Sequence, residues 1–164
     1  MPKLARKVSL AKWRSPAWAS IESIPADAVS IDLKTSGNTL SFWRAGGGDA
    51  DSEEQATLAL LGTLQRLDKM DIAFVDESLL AGINVQANPG STAFTELRGL
   101  HVDLADLNHE ALSLTAKALG AEVFSSRTRQ LTRLEVKKRL QDALREGRIV
   151  GDSLPADLRK DLES

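Results

Sequence analysis

The stretch Val29-Ser30-Ile31-Asp32-Leu33-Lys34-Thr35-Ser36-Gly37-Asn38-Thr39-Leu40-Ser41-Phe42-Trp43-Arg44 decides the fold class. Val29, Ile31 and Leu33 alternate with Ser30, Asp32 and Lys34, the period-two pattern of a strand with one buried face. Thr35 to Asn38 supplies turn chemistry, because Gly37 and Asn38 tolerate positive φ. The chain then returns through Thr39 to Arg44, with Leu40 and Phe42 on one face. Strands joined by so short a turn must pair antiparallel, since a parallel pair needs a long crossover. Ile31, Leu40 and Phe42 are expected to face the core.

Working outward towards the C-terminus, Ala45–Asp51 reads as a flexible acidic loop. Ser52 is expected to cap a helix, with Gln55 at capping-box spacing and Glu53 and Glu54 at the positive end of the dipole. Leu60, Leu61, Leu64 and Leu67 would form its apolar stripe. Asp71–Val75 reads as a buried strand, Ile83 and Val85 as a short one, and Leu100–Leu104 as a half-buried one. Asn108 is placed as the cap of another helix, stapled by Leu107 and Leu112 and ended by Gly120, with Val123-Phe124 as a last short strand. Thr132 and Glu135 form a capping box that opens a final helix, and Gly147 stops it. Val136, Leu140, Ala143 and Leu144 make that helix's narrow apolar face; Arg133, Lys137, Lys138, Arg139 and Arg145 coat the rest.

Towards the N-terminus, residues 1–24 read as a basic arm carrying Trp13 and Trp18 on either side of Pro16. Proline disfavours helix in the residue before it, so the arm is expected to be extended or loosely helical. Residues 25–150 form the core domain, and residues 151–164 a C-terminal tail. Strands and helices mix without strict alternation. That order predicts an α+β fold: a single domain with a mainly antiparallel sheet and about three helices packed on one face.

A chain of 164 residues suits one domain, and 42% hydrophobic with 27% charged residues is the profile of an ordinary globular protein. The absence of cysteine removes disulfides, thiol nucleophiles and thiolate metal sites. It also fits a reducing compartment. With no secretory-type apolar run and no stretch of bilayer length, the expected location is the cytoplasm, without membrane contact. The net charge of −2 hides three blocks: residues 1–44 carry +4, residues 45–126 carry −9 and residues 127–148 carry +5. Such segregation suits a polyanion partner, or the docking of the basic ends on the acidic middle, of the same chain or of a second copy.

Chemical motifs are sparse. Asp71–Val75 followed by Asp76-Glu77 has the outline of a Walker B strand, but Gly46-Gly47-Gly48-Asp49 lacks the lysine of a phosphate cradle. Asp32-Leu33-Lys34 has nuclease-like local spacing without a suitably distant preceding acid. There is no Gly-x-Ser-x-Gly elbow and no Gly-x-Gly-x-x-Gly fingerprint. His101, Asp103 and His109, with Asp106 and Glu110 nearby, form the densest set of candidate metal ligands.

These features lead to a non-enzymatic protein-interaction module, an accessory or regulatory subunit of a cytosolic complex, with a protein partner or a second copy and no cofactor. The expected contact residues are Trp13, Trp18, Arg14, Arg133, Lys137 and Arg145, because tryptophan and arginine anchor interfaces. The first alternative is nucleic-acid binding through the basic arm and the basic C-terminal helix. The second is a metal-dependent enzyme built on the region from His101 to Glu110.

Overall fold

The computed structural model describes residues 1–14, 23–47 and 49–164. Six strands, β1 (Lys3–Val8), β2 (Leu40–Arg44), β3 (Met70–Asp76), β4 (Asn84–Ala87), β5 (His101–Ala105) and β6 (Arg129–Leu131), form one sheet in the order β4-β5-β2-β1-β3-β6. Every neighbouring pair is antiparallel. With helices packed on this sheet, the chain is a single-domain α+β protein, as its strand and helix order predicted.

Helices cover both faces rather than one. On the first face, α3 (Ala50–Leu61), α5 (Arg133–Arg145) and α6 (Ala156–Glu163) join Trp43, Met70, Ile72 and Phe74 in one core. On the second, α1 (Leu10–Trp13), α2 (Ala26–Asp32) and α4 (His109–Phe124) join Leu4, Val8, Phe42, Ala73, Val75, Val102 and Leu104 in another. A strand buried on both sides needs apolar residues at consecutive positions, and Ile72-Ala73-Phe74-Val75 is such a run.

The supposed N-terminal arm is part of this scaffold. β1 lies between β2 and β3, six residues in register with β3 from Lys3↔Asp76 to Val8↔Asp71. Trp13 is fully buried. Its Nε1–H donates to the Asp32 carboxylate at 2.7 Å, which also accepts from Ser9 N at 2.6 Å and Ser9 Oγ at 2.8 Å. Trp18 lies outside the described residues.

That carboxylate also explains why Val29–Asp32 is helical, with Leu33 as the C-cap, rather than the first strand of a hairpin. α2 starts after Pro25, with Asp27 in its first turn. The helix turns Asp32 inward to meet the donors of Ser9 and Trp13, and leaves Ile31 50% exposed, the reverse of the expected facing. Arg6 tightens the joint: its Nε donates to the Asp32 carbonyl at 2.8 Å and its Nη1 to the Ser41 carbonyl at 2.5 Å. Burial pushes the Arg6 guanidinium down to about 10, opposed by the Asp32 charge. The turn before β2 survives as expected, with Gly37 and Asn38 both at positive φ and Ser36 bridged to Thr39.

Three further departures have local causes. α3 is capped by Asp49, whose side chain accepts from Ser52 N, so Ser52 lies inside the helix. α4 runs through Gly120 to Phe124: Gly120 is not at positive φ, and it lies buried within the helix against Trp13 and Ile24 rather than ending it. Val123-Phe124 is therefore helical, and the last strand is β6 instead. The tail folds as α6, which buries Leu158 and Leu162 in the first core.

Candidate functional site

α5 begins at the capping box. Thr132 Oγ1 accepts from Glu135 N, and the Glu135 carboxylate accepts from Thr132 N at 2.7 Å. The Thr132 hydroxyl, which also donates to that carboxylate at 2.7 Å, and the Thr132 N–H together hold the Glu135 carboxyl below its ordinary value near 4.5. Val136, Leu140 and Ala143 turn into the core, and Gly147 at φ 70° reverses the chain. α6 returns against α5, tied by Gln141 Nε2–H donating to the Leu162 carbonyl at 2.8 Å and by the Arg133–Asp161 pair at 3.7 Å.

Between the two helices lies a groove of about 520 Å³. Leu144, Leu154 and Leu162 form its apolar floor, and Gln141, Arg145, Arg159 and Glu163 its rim. Leu134, 76% exposed, stands on the same stripe of α5 as Gln141 and Arg145, at spacings of seven and eleven residues. The stripe therefore carries an exposed apolar side chain roughly 10 Å along the helix from the groove rim. Arg145 pairs with Asp142 and Arg159 with Asp152 at 2.9 Å, both at the surface and of small energetic weight.

The residues expected to meet a partner are placed unequally. Arg145 is on the groove rim, and Lys137 lies one turn before Gln141 on the same helix. Arg133 is engaged with Asp161. Arg14 donates to the Val123 carbonyl at 3.2 Å, closing the end of α4. Trp13 is withdrawn into the second core. The groove floor was the part not read from sequence. Its signal was available: Leu154, Leu158 and Leu162 recur every four residues, the stripe of an amphipathic helix.

The candidate metal ligands are each engaged otherwise or stand apart. The Asp103 carboxylate accepts from Ser41 Oγ at 2.9 Å and from Asn88 Nδ2 at 2.5 Å. His101 Nδ1 bonds the Asn88 carbonyl at 2.5 Å, and its ring meets Trp43 edge-on with centroids 4.9 Å apart. His109 is exposed in the first turn of α4. Among the described residues, no three His, Asp or Glu side chains gather as a metal-holding group.

The basic ends dock on the acidic middle of the same chain. Glu53 receives Lys3 at 2.8 Å and Arg129 at 3.3 Å; Glu54 receives Arg129 at 3.2 Å and also Arg139; Glu96 receives Arg148 at 3.1 Å. Among the described residues, no helix is long and apolar enough to cross a membrane.

The chain matches no protein-family model, no curated protein and no solved structure.

Proposed function

We propose that the protein is a protein-interaction module, an accessory or regulatory subunit of a larger complex, and that its partner contributes an amphipathic helix to the groove between α5 and α6. The observation that carries this reading is the apolar groove continued along α5 by the exposed Leu134. A helix laid in a groove presents apolar anchors at i, i+3, i+4 and i+7. A stable interface takes roughly 800 Å² from each partner, more than one groove supplies, so the Leu134 stripe has to share the contact. Arg145 and Arg159 on the rim, with Lys137 and Lys138 alongside, favour an acidic flank on the incoming helix.

The test places a photo-crosslinking residue at Arg145 in the cell of origin, with Lys117 on α4 as the control position. The expected result is one adduct of defined mass at position 145, absent at position 117 and reduced about ten-fold or more by Leu134→Glu, as befits an interface anchor. Leu134→Glu is chosen because the side chain is already exposed, so the fold survives the change. Equal labelling at both positions refutes the reading. So does an adduct formed only with a second copy of the chain.

A further inference from the structure

A second cleft, of about 470 Å³, opens where β1 and β2 part beyond Ala5, lined by Trp43 and Leu60 from the first face and by Ile31 and Asp32 of α2 from the second. Its wall combines Lys7, Trp43 and His101 with the apolar side chains of Leu60 and Ile31. Three features of this wall are unusual for plain surface. Ile31 stays half exposed at its rim, on the outer side of α2 with Asp27 and Ser30, while Ala28 and Asp32 pack inward. Lys7 has no ion-pair or hydrogen-bond partner among the described residues. The His101 ring, by contrast, is fixed on three sides. Nδ1 bonds the Asn88 carbonyl, Trp43 lies edge-on, and Gly90 comes so close that a Cβ there would fall 2.6 Å from the ring.

The fixed ring has a chemical consequence. A carbonyl only accepts, so Nδ1 carries the proton in that bond. In the neutral ring, Nε2 is then the acceptor, and it has no partner among the described residues. Lys7 offers a positive charge on β1 and His101 an oriented lone pair on β5, with β2 between them. Ala5 lies opposite Trp43 and Trp43 opposite His101, so Lys7, two residues further along β1, is set off by two inter-strand steps and two residues of rise, about 12 Å between backbones. The lining carboxylate, Asp32, is held by Ser9 and Trp13 and neutralised by Arg6.

We propose that this cleft binds a flat organic acid whose carboxylate meets Lys7 and whose far end carries a hydroxyl that donates to His101 Nε2, with the ring lying against Ile31 and touching only the accessible edges of Trp43 and Leu60. The test uses p-hydroxybenzoate and benzoate as probes, followed through the nitrogen resonances of the Trp43 indole and the His101 ring. The expected result is saturable binding of p-hydroxybenzoate, about five-fold tighter than benzoate, because an unpaired lone pair is left when the hydroxyl is missing. Lys7→Met should weaken both acids about ten-fold, since it removes a charge-assisted bond. His101→Asn keeps a donor for the Asn88 carbonyl but lacks Nε2, so it should bind the two acids equally. Because Lys7 is exposed, its variant remains informative even if His101→Asn disturbs the loop. No saturation by roughly 20 mM, or equal affinity of the two acids for the unmodified protein, overturns the proposal. So does unchanged binding in Lys7→Met.

Discussion

Trp13→Phe separates a structural tryptophan from a partner-binding one. Phenylalanine keeps most of the ring volume in the second core and deletes only the Nε1–H that reaches Asp32 at 2.7 Å. Asp32 is 7% exposed, so water does not replace the lost donor freely. A hydrogen bond to a charged group contributes about 1.5–3 kcal/mol. The smaller ring adds a void worth roughly 1 kcal/mol. The variant should therefore lose about 2.5–4 kcal/mol. Against a typical stability of about 5–15 kcal/mol it remains folded. For a chain of this length the thermal midpoint should fall by roughly 5–15 °C.

The assay is urea unfolding followed by far-UV circular dichroism, which does not depend on the deleted indole. The midpoint should move with an unchanged m-value. Pairing the change with Asp32→Asn completes a double-mutant cycle, and the two costs should overlap by about 1 kcal/mol or more because they break one bond. A loss below about 1 kcal/mol, or strict additivity, refutes the structural role of the Trp13–Asp32 bond. Either result would mean that the Asp32 carboxylate is satisfied by Ser9 without the indole.

Other outcomes follow from single contacts. Gly90→Ala drives a Cβ into the His101 ring and should cost about 1–3 kcal/mol by overpacking, read by chemical denaturation. Thr132→Ala removes the α5 cap and should cost about 1 kcal/mol by the same measurement. Glu135 has a folded-state pKa below its unfolded value, so its stabilisation is present above about 4.5 and is lost as pH falls through the lowered value. The stability difference between the unmodified protein and Glu135→Gln should accordingly shrink on acidification below pH 4.5 and stay constant above it.

Local signals that involve neighbours in sequence were readable; those completed by distant residues were not. The Thr132–Glu135 box and the Asn108 cap are satisfied within three residues, and both stand where their spacing placed them. Met70–Asp76 and His101–Ala105 carry enough apolar residues to declare strands. Residues 29–33 misled because five alternating positions also fit a helical turn and a half. The choice falls to Asp32, whose donors come from Ser9 and Trp13, some twenty residues away. β6 escaped notice because Arg129-Gln130-Leu131 has one apolar residue, and its pairing with Met70–Ile72 supplies the rest. In the groove, Arg145 was legible as an exposed arginine, whereas the floor needed the fold-back of α6 on α5.

Charge patterning carried the most ambiguous message, and the ion pairs narrow it. Of the cations in residues 127–148, Arg129, Arg139 and Arg148 are turned towards Glu53, Glu54 and Glu96, so a nucleic acid approaching them would first have to displace carboxylates. Binding through phosphate contacts strengthens with every cation that is free to release counterions, and paired cations contribute little to that term. A strongly basic segment thus leaves a modest basic surface once it has docked on an acidic one. The positive charge left over on α5 is at Lys137 and Lys138, which have no ion-pair partner among the described residues. Lys137 is one turn from Gln141 on the rim of the groove. The residual charge and the exposed apolar stripe therefore share one helix, the combination expected where an acidic, amphipathic helix docks rather than where a phosphate backbone is tracked.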